Sequence, residues 1–65
     1  MLTPIQIIVL KEIDKGHLAD IREMSEPWRQ TVISLGMIEP PLIDVEADQV
    51  ILTIRGEDAL KVATR

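Results

Sequence analysis

Two adjacent prolines, Pro40 and Pro41, stand inside the stretch LGMIEPPLIDV (residues 35 to 45) and divide a 65-residue chain into unlike halves. Proline has no N–H to donate and its ring collides with the preceding helical turn. It also pushes the residue before it into extended backbone. A helix upstream therefore has to stop near Gly36, and whatever follows starts extended. Apolar residues before the joint recur at helical spacing, and those after it alternate. The pair predicts a chain held straight as it passes from a helix into a strand.

Upstream, LTPIQIIVLKEIDKG reads as a helix with marked ends. Thr3 can cap its first amides and Pro4 suits its first position, where a missing N–H costs nothing. Gly16 is placed to end it in a left-handed turn. At about 100° per residue, Ile5, Ile8, Val9 and Ile13 share one face. Ile7 lies away from the centre of that face and Leu10 at its edge. HLADIREM predicts a short second helix with Leu18, Ile21 and Met24 inward. SEPWRQTVISLG predicts a third, with Ser25 as N-cap, Glu26 at the positive end of the dipole and Pro27 in the first turn. Trp28, Val32 and Leu35 form its core stripe, and Gly36 ends it.

Downstream, LIDVEADQVILT predicts a β-hairpin. If Val45 faces Val50 and Ile43 faces Leu52, all four side chains point to one side, because side chains alternate along a strand. The tip Glu46-Ala47-Asp48-Gln49 lacks the Asn-Gly or Asp-Gly of a tight turn, so a longer loop is expected. TIRGEDALKVATR predicts a closing helix capped by Thr53, with Leu60 and Ala63 inward. Gly56 in its first turn costs about 1 kcal/mol relative to Ala unless close packing demands it. The expected core is Ile5, Val9, Ile13, Ile21, Trp28, Val32, Leu35, Val45, Val50, Leu52 and Leu60.

Composition bounds the rest. One domain, residues 1–65, is the ceiling at this length, and so small a domain is marginally stable alone. There is no cysteine, which excludes disulfides and thiolate metal sites and fits a reducing cytoplasm. No apolar run is long enough to span a bilayer, so no membrane partner is expected. The first residues show no basic flank or small-residue cleavage site, which argues against a signal peptide. His17 has no His or Cys partner, so no metal and no cofactor is expected; a surface or helix-capping role is its default. No catalytic residue is assigned. There is no Cys nucleophile, Ser25 and Ser34 have no visible triad, and Asp20, Glu23, Glu57 and Asp58 read as solvated helix faces. The chain is expected not to be an enzyme.

The order helix, helix, helix, hairpin, helix is that of a winged helix-turn-helix. Three pieces resemble the multiple-antibiotic-resistance-type (MarR-like) repressors: LTPIQIIVL their first helix, LGMIEP the end of their recognition helix, and VILTIRGEDAL their second wing strand running into the next helix. Leu52, Thr53, Gly56 and Leu60 fall at the expected spacing in the last piece. The chain departs from that pattern between Gly16 and Leu35, where only 18 residues remain. Its second helix must then be short, and the long helices that flank the family's domain have no counterpart. The resemblance implies an α+β fold: a compact winged helix with three helices, a two-stranded β-hairpin wing and a short C-terminal helix.

It also implies double-stranded DNA as a partner, for a transcriptional regulator or DNA-associated accessory factor. On the third helix Arg29 and Gln30 point away from the core stripe, and both side chains suit base edges in the major groove. Arg22 and Thr31 are the supporting DNA-binding candidates. An ordinary solvated helix face explains the same residues equally well. The wing carries Asp44, Glu46 and Asp48 without a basic residue, and the chain has a net charge of −4, both adverse to phosphate contact. The alternative is a protein–protein interaction or oligomerisation module without DNA binding. Ile7, Leu10, Ile33 and Ile51 exceed what so small a core can hold. They are the candidate interface, toward a homodimer or a heterologous protein.

Overall fold

The first helix starts where Thr3 can cap it. The structure, a computed structural model, describes residues 2–64. Helix α1 (Pro4–Asp14) opens on a full capping box: the Thr3 hydroxyl accepts the Gln6 amide, and the Gln6 side chain accepts the Thr3 amide at 2.8 Å. It closes with Gly16 at φ +80°, where the Gly16 amide bonds the Ile13 carbonyl and the His17 amide bonds that of Glu12. This pair of bonds is a Schellman ending. His17 thus finishes the helix through its backbone, while its ring meets the Glu12 carboxylate at 2.7 Å.

The segment expected as a second helix is a single 3-10 turn, Ile21–Glu23. Its backbone is engaged elsewhere. The Ala19 carbonyl accepts the Val50 amide at 2.7 Å, and the Ile21 amide donates to the Asp48 carbonyl at 2.9 Å. Residues 19 to 21 therefore lie along the hairpin like a short third strand, with Asp20 bridged to Gln49. Helix α2 (Glu26–Gly36) follows, with Ser25 at its N-cap but no hydrogen bond from the Ser25 side chain. Strands β1 (Ile43–Glu46) and β2 (Gln49–Leu52) pair antiparallel, and helix α3 (Ile54–Ala63) closes the order. The α+β class expected from the sequence is the one observed.

The hairpin register is the expected one, Ile43 opposite Leu52 and Val45 opposite Val50. The loop is not. Glu46 pairs with Gln49, which leaves a two-residue turn of Ala47 at φ +50° and Asp48 at φ +67°. Aspartate tolerates that region, but alanine pays a steric cost there of about 1–2 kcal/mol. We expect Ala47→Asn, the residue such turns prefer, to raise stability by about 0.5–1 kcal/mol. Urea denaturation of the two proteins measures the difference, and a loss of stability would rule out the tight turn.

The joint bends rather than running straight. Residues 37 to 40 form a turn and bends, and the Glu39–Pro40 peptide bond is cis. Three hydrogen bonds tie the joint down. The Leu42 amide donates to the Leu35 carbonyl, the Thr53 amide donates to the Leu42 carbonyl, and the Thr53 hydroxyl donates to the Pro41 carbonyl at 2.7 Å. The same Thr53 oxygen accepts the Gly56 amide at 3.1 Å, so one side chain caps α3 and anchors the strand entry.

The core is Val9, Leu10, Ile13, Met24, Val32, Leu35, Leu42, Ile43, Val50 and Leu60. Ile21, Trp28 and Leu52 pack against it half-buried. Two expected members are outside. Helix α1 packs against α2, α3 and β2 together, and the face this covers is centred nearer Leu10 than Ile5. Leu10 is accordingly 0% exposed and Ile5 is 40% exposed. Val45 is also exposed, because the core covers only the Ile43 end of β1 and leaves its turn end open. Ala63 is exposed, and Ala59 takes the half-buried place on α3.

Candidate functional site

Each of the four candidate DNA-binding side chains has an intramolecular partner. Arg22 forms a bidentate pair with Asp20, with its closest approach at 2.6 Å, and lies 3.7 Å from Asp48 on the hairpin turn. The hydrogen bonds from Arg22 hold the Asp20 carboxyl below the usual carboxylate range, and the same pairing raises the guanidinium. Arg29 donates to Glu26 at 3.0 Å and to the Met24 carbonyl at 3.1 Å. Gln30 donates to the other Glu26 oxygen at 3.0 Å, and the Thr31 hydroxyl donates to the Pro27 carbonyl at 2.8 Å. Arg29 and Gln30 are thus gathered on one carboxylate at the start of α2, whereas Arg22 clips the 3-10 turn to the hairpin. Phosphate could reach either arginine only in competition with a carboxylate already in place.

The four interface candidates separate. Leu10 is fully buried, so it has no surface to offer; the expectation is corrected by the rotation of α1 described above. Ile33 and Ile51 are each close to half exposed. Ile7 is half-buried, packs against the core and also borders an open groove.

That groove is an open concavity with a volume of about 730 Å³. Leu2 and Ile7 form one wall at the start of α1. Ile38, Pro40 and Leu42 form another from the joint, and Ala59, Val62 and Ala63 of α3 a third. Three exposed charges also line it: Glu39, Arg55 and Asp58. The bend at residues 37 to 40 brings Ile38 and Pro40 into the wall of this groove. Sequence reasoning missed this surface. The signal was the spacing Arg55, Asp58, Ala59, Val62, Ala63, which is one face of a helix. In the sequence Asp58 reads as part of a solvated helix face and Ala63 as inward, so the two do not join into one surface.

The groove is open to solvent and lined mainly by apolar side chains. It presents no nucleophile–base pair. No protein-family model matches the chain, and neither a curated protein nor a solved structure matches it. None of the described helices is long and apolar enough to cross a membrane.

Proposed function

We propose that the chain is a protein-interaction module, in which a winged-helix-like order of elements presents the groove between α1, the joint and α3 to a protein segment. One observation carries this reading: the concave surface is lined mainly by aliphatic side chains, and Val62 within it is 64% exposed. A contiguous exposed apolar patch on a small domain marks an interaction site. The charges favour the same reading. The net charge is −4 and the hairpin is acidic, while Arg22 and Arg29 are engaged by carboxylates. A DNA-binding role for Arg22, Arg29, Gln30 and Thr31 has in its favour the exposed position of Gln30 beside Arg29 on α2.

Two measurements separate the readings. Peptides selected from a random phage-displayed library on dilute immobilised protein should carry apolar residues, and should lose binding to Val62→Glu. Anisotropy of a labelled duplex at about 50 mM salt, where phosphate contacts are strongest, should show no binding at micromolar protein. Duplex binding that Arg29→Ala abolishes and Val62→Glu leaves intact would overturn the interaction reading in favour of DNA.

A further inference from the structure

We propose that the occupant of the groove is a second copy of this chain, in a two-fold dimer formed across α3 and the joint. This rests on the interaction reading above and names its partner. The argument is charge complementarity. Arg55, Glu39 and Asp58 all line the groove, and none of them forms an ion pair among the described residues. In a two-fold interface the same patch meets itself, so a patch of one sign would repel its copy. This patch carries both signs, and Arg55 of each copy finds the carboxylates of the other. An uncharged segment would instead cover three charges and leave them unpaired, which is unfavourable.

The shape agrees. On α3 the groove-facing positions are Arg55, Asp58, Ala59, Val62 and Ala63, and the two alanines let a second helix come close. Val62 and Ile38, 64% and 38% exposed, would then cover each other's apolar surface. Such a dimer also suits a domain whose own core is only ten buried apolar side chains among the described residues.

Sedimentation equilibrium on the whole chain tests this with charge-sorted variants. All three charged positions and Val62 are exposed, so circular dichroism should show each variant folded. The unaltered protein should be a dimer at high micromolar concentration and Val62→Glu a monomer. Arg55→Glu should weaken self-association by about tenfold or more, and so should the double variant Glu39→Lys, Asp58→Lys. Mixed in equal amounts, these two should form a one-to-one dimer. An unaltered protein that stays monomeric near millimolar concentration overturns the proposal. A dimer indifferent to Val62→Glu, or a mixture that fails to pair, does so as well. If the protein is monomeric yet binds selected peptides through Val62, the interaction reading survives with a different partner. If neither association nor peptide binding occurs, both readings fail.

Discussion

Replacing Gly56 with Ala should remove most of the domain's stability. A Cβ at this position would sit 2.0 Å from the Leu42 carbonyl oxygen and 3.0 Å from its carbon. These are backbone atoms and cannot rotate away. The Leu42 carbonyl is fixed by the Thr53 amide, and the Leu42 amide by the Leu35 carbonyl, so retreat of the strand entry would break the bonds that hold the joint to α2 and α3. The cost should be about 3 kcal/mol or more, the upper end for forced overpacking. Stability of a small domain is itself only about 5 kcal/mol, so most of it would be lost. Thermal and urea unfolding followed by circular dichroism measure the effect. Gly36→Ala is the control. Its Cβ would meet only the Ile43 side chain at an ordinary 3.7 Å and Ile43 O at 3.9 Å, so it should be neutral or slightly stabilising. Equal effects at the two glycines would mean that α3 does not press against Leu42.

The features most legible in the sequence were those set by short-range chemistry. Thr3, Pro4 and Gly16 marked the ends of α1, and Thr53 the start of α3, because a cap needs only a few neighbouring residues. The strand register was legible because only one pairing gathers Ile43, Val45, Val50 and Leu52 on a single face. What failed depended on partners distant in sequence. Residues 17 to 24 carry enough helical spacing to suggest a helix, but the open edge of β2 takes the backbone groups of Ala19 and Ile21. The rotation of α1 toward Leu10 is set by three neighbours at once, which periodicity in one helix does not encode. The tight turn at Ala47-Asp48 went against local preference and was fixed by the strands. Gly56 lay between the two cases. Its oddity in a first turn was plain, and the reason, a carbonyl pressed against it, was not. The groove was hidden for a related reason: a bend at two prolines and the small residues of α3 make a surface that neither segment shows alone.

Leu35→Ala should be the other strongly damaging change, at about 2–5 kcal/mol. Leu35 is 0% exposed and is among the largest wholly buried side chains. It sits in the last turn of α2, where its carbonyl also receives the Leu42 amide. Its side chain therefore fills the core just where the chain leaves the helix for the bend and the strand. Removing three carbons there leaves a void that the pinned joint cannot move in to fill, so the cost should lie toward the upper part of the range. Urea denaturation gives the value, and an unchanged dependence on denaturant would show that the folded state keeps its compactness. Ile33 is on the same helix two residues earlier and is 43% exposed. Ile33→Ala should cost much less, about 1 kcal/mol or below, since surface positions change stability little. If the two substitutions cost the same, α2 does not present Leu35 to the core, and the placement of the joint and the groove beside it would fall with that orientation.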